Sequence, residues 1–124
     1  MDTVTNIEDA FGRFDEVWAP RVLTRVNDYD VRIAKVEGDH AWHAHQDTDE
    51  FFLCLAGRFT IEMRERTVVL GPGEVFTVAR GVDHFPRAEP GTRILMFEPQ
   101  GTPTTGDSYA DISHLRTTHG LSLD

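Results

Sequence analysis

From Arg21 to Glu98 the chain never holds one apolar rhythm for long, because glycine and proline cut it into short runs. Turn signals fall at Gly38, Gly57, Gly71-Pro72-Gly73, Gly81 and Pro90-Gly91, where backbone freedom or a fixed φ favours reversal. Between them, residues 21–26, 30–36, 41–45, 50–56, 59–64, 67–70, 74–78, 84–87 and 93–98 read as strands. So many short strands with glycine-rich punctuation predict an all-β antiparallel sandwich or barrel. One helix is expected over residues 5–18. Thr5 and Glu8 have capping-box spacing, Ile7, Phe11, Phe14 and Trp18 recur at helical intervals, and Pro20 ends the run. After Pro99 the chain turns polar: GTPTTGDSYAD reads as an arm and residues 111–124 as a loose end or a short helical turn. The expected organisation is one domain with an N-terminal helical segment (1–20), a β-barrel (21–99) and a C-terminal arm (100–124).

Composition narrows the partners. With 124 residues and a 40% apolar share, the chain can build one core but not two. Its formal charge of −9, with no compensating basic run, disfavours nucleic acid and anionic lipid. No apolar stretch approaches a membrane span. The acidic start MDTVTNIEDAFG lacks the pattern of a secretory signal, and a single cysteine forms no internal disulfide. A cytoplasmic protein without membrane or nucleic-acid partners is the expectation.

The chemistry gathers in WHAHQDTDEFF, residues 42–52. Side chains two apart on a strand share a face, so His43 and His45 project together. The turn Gln46-Asp47-Thr48-Asp49 lets the next strand start at Glu50, and His84 follows the turn that contains Gly81. Three imidazoles and a carboxylate form a nitrogen and oxygen donor set for Zn, Mn, Fe, Co, Ni or Cu. Taken singly, each has another reading: surface histidines, a solvated glutamate at a strand start, a hydrogen-bonded core histidine.

Together these residues resemble the two motifs of the cupin superfamily. Gly38, His43, His45, Glu50 and Gly57 match the first, and Gly73, Gly81 and His84 the second. Ala79 stands where proline is usual and Ala88 where asparagine is usual, which bears on the neighbouring turn and pocket rather than on the ligands. The resemblance implies a double-stranded β-helix, a closed jelly-roll barrel, binding one divalent transition-metal ion per chain through His43, His45, Glu50 and His84. The WHxHxDTDE variant and the tail after Pro99 look like the small cupins similar to mannose-6-phosphate isomerase, a label that does not fix a substrate.

Further candidates follow from strand parity. Phe52 and Cys54 share the face of Glu50, while Phe51, Leu53 and Leu55 face away. Cys54 is a buried small residue or a reactive one. Lys35 reaches inward as an anion anchor or lies in solvent, and His40 sits at the pocket mouth or in solvent. Trp42, out of phase with the histidines, faces away from them. Asp47 and Asp49 support a ligating histidine or cap their turn. Three accounts of function stay open: Lewis-acid isomerisation, epimerisation or elimination of a small hydroxy-carbonyl or carboxylate metabolite, metal-dependent dioxygenation, and metabolite binding without turnover. The catalytic residue is open, with His40, Lys35 and Cys54 as candidates; a metal-bound hydroxide, His40 or one of the acidic turn residues serves as the base, and the sequence does not choose. The surplus of Phe11, Phe14 and Trp18, together with exposed edges, predicts a homodimer.

Overall fold

The computed structural model describes residues 3–108 and 111–124. One short helix, α1 (Ile7–Phe11), precedes seven strands: β1 (Arg21–Val26), β2 (Tyr29–Asp39), β3 (Glu50–Ala56), β4 (Phe59–Met63), β5 (Thr67–Leu70), β6 (Val75–Val78) and β7 (His84–Pro99). The strands form one antiparallel sheet in the order β1-β2-β7-β3-β6, with β4 pairing both β5 and β7.

This is a double-stranded, mostly β fold of cupin type, but the sheet does not close, which corrects the expected closed barrel. Among the described residues its edges are β1, which pairs only β2, β6, which pairs only β3, and β5, which pairs only β4; the circuit is left open where β5 and β6 could have met. Both are four-residue strands on either side of Gly71-Pro72-Gly73. The turn between them does not return one alongside the other, so no hydrogen bonds complete the circuit.

Strand β7 organises the interior. Its first part pairs β4 (Met63 with His84, Phe59 with Ala88), and its second part pairs β3 (Phe51 with Phe97, Cys54 with Ile94). Along its other edge runs β2, with a register shift between Val36 and Gly38. Pro90-Gly91 therefore marks a bulge inside one long strand, where the sequence reads as two strands with a turn. Beside it, Thr92 Oγ1 donates to the Glu89 carbonyl at 2.7 Å and accepts from Arg58 N–H at 3.1 Å. Gly57 (φ +81°) packs so closely here that a Cβ would strike Thr92, which explains why this motif position takes glycine.

The main core lies between the two parts of the sheet, where Ala34, Val36, Phe52, Cys54, Phe59, Ile61, Ile94 and Met96 pack together. A second cluster on the outer face of β2 joins Ile33 to Ala10, Phe11 and Phe14. Two of the three aromatics that suggested a dimer are thus covered within the chain, Phe11 at 1% exposed and Phe14 at 6%, while Trp18 is half-buried. The helix is shorter than expected. Asn6 caps it through Asp9 N–H, and Gly12 ends it. Beyond it the chain is extended against β2, with Trp18 N–H donating to the Lys35 carbonyl at 2.9 Å.

The C-terminal residues are docked rather than loose. Val22 N–H donates to the Leu121 carbonyl at 2.8 Å, and Thr104 N–H to the Thr118 carbonyl at 2.9 Å. Among the described residues no helix is long and apolar enough to cross a membrane.

Candidate metal centre

Residues 41–45 form no ladder strand, unlike the expectation, yet they lie along the start of β7. His43 and His84 exchange both backbone hydrogen bonds, at 3.0 and 2.9 Å. That pairing brings their rings to 4.3 Å between centroids. His45 lies two residues on with the same parity, its ring 5.2 Å from that of His43. Glu50 opens β3 opposite Val78, and the turn before it is held by Arg80 N–H donating to Asp49 Oδ1 at 2.9 Å. Asp49 is therefore a turn cap. One donor atom from each of His43, His45, Glu50 and His84 lies within 4.8 Å of every other, and all four residues are buried. The cluster is suited to a single divalent transition-metal ion.

The donor chemistry supports that fit. His43 Nδ1 lies 2.9 Å from the Ala41 carbonyl and His84 Nδ1 lies 3.0 Å from the Val82 carbonyl. A carbonyl only accepts, so each Nδ1 carries a proton, and in the neutral ring each Nε2 is the atom free to bind an ion. His84 Nε2 faces Glu50 Oε1 at 3.2 Å. His45 Nε2 is buried without a hydrogen-bond partner, 3.4 Å from Glu50 Oε2. Ring nitrogens that converge on a buried carboxylate away from water need a cation between them, a proton or a metal ion.

Charge states follow from burial and from Glu50. Burial depresses His43 to about 3, helped by neighbouring His84, and depresses His40 to about 4. Both are neutral imidazoles at neutral pH. Burial also pulls His45 down, but the Glu50 carboxylate outweighs it and leaves the group raised. For Glu50, burial favours the neutral acid, yet the imidazoles of His45 and His84 hold it well below the usual carboxylate range.

The other candidates part company. His40 is buried, its ring 4.7 Å from His43 and 5.0 Å from Trp18, and it lines the cavity beside the cluster. Lys35 does not reach the site: on the outer face of β2, its Nζ donates to the Phe14 carbonyl at 2.6 Å. Cys54 lies in the core outside the cavity lining, its Sγ 3.5 Å from the Ala56 carbonyl, with burial pushing the thiol up. Trp42 faces away, under the Arg64 guanidinium and beside Phe85.

Sequence reasoning missed a buried charged group next to the cluster. Arg32, fully buried, donates all five of its N–H bonds: two to Asp30, one to Glu98 at 2.9 Å, and one each to the carbonyls of Thr102 and His119. Desolvating such charges costs several kcal/mol apiece, so the five donated bonds are what make the buried guanidinium tolerable, while Glu98 Oε2 stays buried without a hydrogen-bond partner. Burial, and then the charge of Glu50, push Glu98 well above the usual carboxylate range. The available signal was parity, since Arg32 alternates with Ala34 and Val36 on the inward face of β2.

Glycine also shapes the site from the C-terminal side. Gly106 (φ +51°) lies against the His45 ring, and a Cβ there would meet His45 Nδ1 at 3.1 Å and run into the Ala44 carbonyl. Asp107 N–H donates to that same carbonyl at 2.8 Å.

The Cupin domain family profile matches residues 29–97, more than half of the chain. The chain belongs to the cupin family. This cupin is 32% identical over 105 residues to the protein YdbB of Bacillus subtilis (strain 168), covering 84% of this chain and 93% of that one. A crystal structure of a cupin-2 domain containing protein from Shewanella frigidimarina is similar at 40% identity and a TM-score of 0.76, covering 77% of this cupin and 94% of that chain. NMB1881 from Neisseria meningitidis shares the fold at 23% identity and a TM-score of 0.71, covering 78% and 99%. These matches support the cupin superfamily and do not single out a mannose-6-phosphate isomerase-like group within it.

Proposed function

We propose that this cupin holds one divalent transition-metal ion on His43, His45, Glu50 and His84 and is an enzyme of isomerase, epimerase or lyase type acting on a small hydroxy-carbonyl or carboxylate metabolite. The observation that carries the reading is the buried convergence of His84 Nε2 and His45 Nε2 on the Glu50 carboxylate, with His43 beside them. A bound divalent ion supplies Lewis acidity toward a carbonyl or carboxylate oxygen. Glu50, held as a carboxylate, contributes charge to the ion rather than a proton to the reaction. The apolar walls exclude water and strengthen electrostatic interactions within the cavity. His40 is the neutral group beside the ligands best placed to exchange a proton with a substrate. The ligand set alone is compatible with dioxygen chemistry, so the test must separate the two routes.

Metal analysis of protein prepared without a histidine tag should give close to one ion per chain, falling sharply for His43→Ala and His84→Ala. Unchanged content in both variants would refute the site. Turnover that vanishes without dioxygen and tracks iron content would replace the Lewis-acid assignment with dioxygenation. Binding of metabolites without turnover in any metal form would make the protein a metabolite-binding cupin.

We further propose a homodimer formed along β6, which leaves one edge unpaired and Val75 55% exposed. A monomer mass in light scattering at high protein concentration would refute it.

A further inference from the structure

The cavity beside the cluster has an unusual division of chemistry. Its volume is about 30 Å³, the space of one or two waters or a small alkyl group. His43, Glu50 and Thr104 contribute polar groups to its lining, which is otherwise mostly apolar and includes Val36, Phe52, Phe59, Ile94 and Met96. Among the described residues no lysine or arginine lines it. Arg32 is committed to its own partners and Lys35 lies on the outer face. A phosphate would thus find no lysine or arginine in this chamber, and most hydroxyls of a sugar would meet apolar walls that leave them unpaired, with Thr104 and His40 the polar side chains besides the ligands. His40 is 5% exposed, and its Nδ1 is buried and has no hydrogen-bond partner.

We propose that the cavity takes a short oxo or hydroxy acid. Its chelating oxygens meet the ion held by His43, His45, Glu50 and His84, its one- or two-carbon tail lies against Phe52, Phe59, Ile94 and Met96, and His40 Nδ1 makes the added hydrogen bond that orients it. This deepens the metal-dependent reading above and rests on it. His40 is here a specificity-determining residue, distinct from the ligands.

The test uses cobalt(II)-loaded protein and its visible d–d absorption, titrated with 2-oxobutanoate and separately with fructose 6-phosphate. The oxo acid should perturb the band saturably and bind at least tenfold more tightly than the sugar phosphate. His40→Phe should weaken 2-oxobutanoate about fivefold, the loss of one hydrogen bond, with cobalt content unchanged. Ile94→Phe, which fills the tail space, should abolish the oxo-acid response while cobalt stays bound. Equal or tighter binding of fructose 6-phosphate overturns the inference, as does unchanged 2-oxobutanoate affinity in both variants. Failure to bind cobalt at all instead sinks the metal reading, so the two failures are distinguishable.

Discussion

Glu50 Oε1 and His84 Nε2 stand 3.2 Å apart while the proton of His84 is directed at the Val82 carbonyl on the other side of the ring. In the metal-free protein this contact is relieved only by an added proton.

An amide at position 50 carries no charge to match the imidazoles. Glu50→Gln should therefore bind metal at least tenfold more weakly and, when both are metal-free, be less stable than the wild type at neutral pH, because it gives up the interaction that raises His45 and holds Glu50 ionised. Isothermal titration with zinc and urea unfolding of the metal-free proteins check the two halves. Unchanged zinc affinity would show that the carboxylate is not a ligand.

Gly106 separates metal binding from folding. Alanine there imposes a left-handed φ on a side chain and pushes His45 aside, at a cost of roughly 1–3 kcal/mol. Gly106→Ala should keep its β-type circular dichroism but lose metal affinity about tenfold or more. Wild-type metal binding in a folded variant would mean that the arm does not position His45.

The histidine next to the ligands sets an acid limit on stability. Well above pH 6.5 the His40 ring is neutral both folded and unfolded, and it contributes no pH dependence. Below that, the unfolded chain takes up a proton that the buried ring refuses until about pH 4. Stability therefore falls as pH falls through this window, by roughly 3 kcal/mol when titration is complete. Between about pH 7 and pH 5, metal-free wild type should lose about 2 kcal/mol more than His40→Phe by urea unfolding. Equal losses would show that the ring takes up its proton without unfolding.

The parts legible in the sequence were those governed by local alternation. Strands β1, β3 and β5 lie where the apolar runs end at turn residues, and the metal-donor cluster follows from parity and the two turns that return Glu50 and His84. Helical spacing misled at Phe14 and Trp18, because Gly12 stops the helix and Lys35 pulls the following segment flat against β2 through the Phe14 carbonyl. Pro90-Gly91 looks the same in a turn and in a bulge, and only the partner strand distinguishes them. Openness of the sheet was illegible for a similar reason: it depends on whether β5 and β6 find each other, and their sequences fit a paired or a free edge equally. The docked C-terminus has no apolar period to announce it. It is held by carbonyls, which every residue has, given to a buried guanidinium that lies far away in sequence.

That guanidinium imposes an order of assembly. All four donors of the metal cluster have been synthesised by His84, but Arg32 still lacks three acceptors until Glu98, Thr102 and His119 have been added. A chain still emerging from the ribosome can thus form its strands and gather its imidazoles while a cation in its interior awaits partners. Completion of this interior is deferred to the end of synthesis.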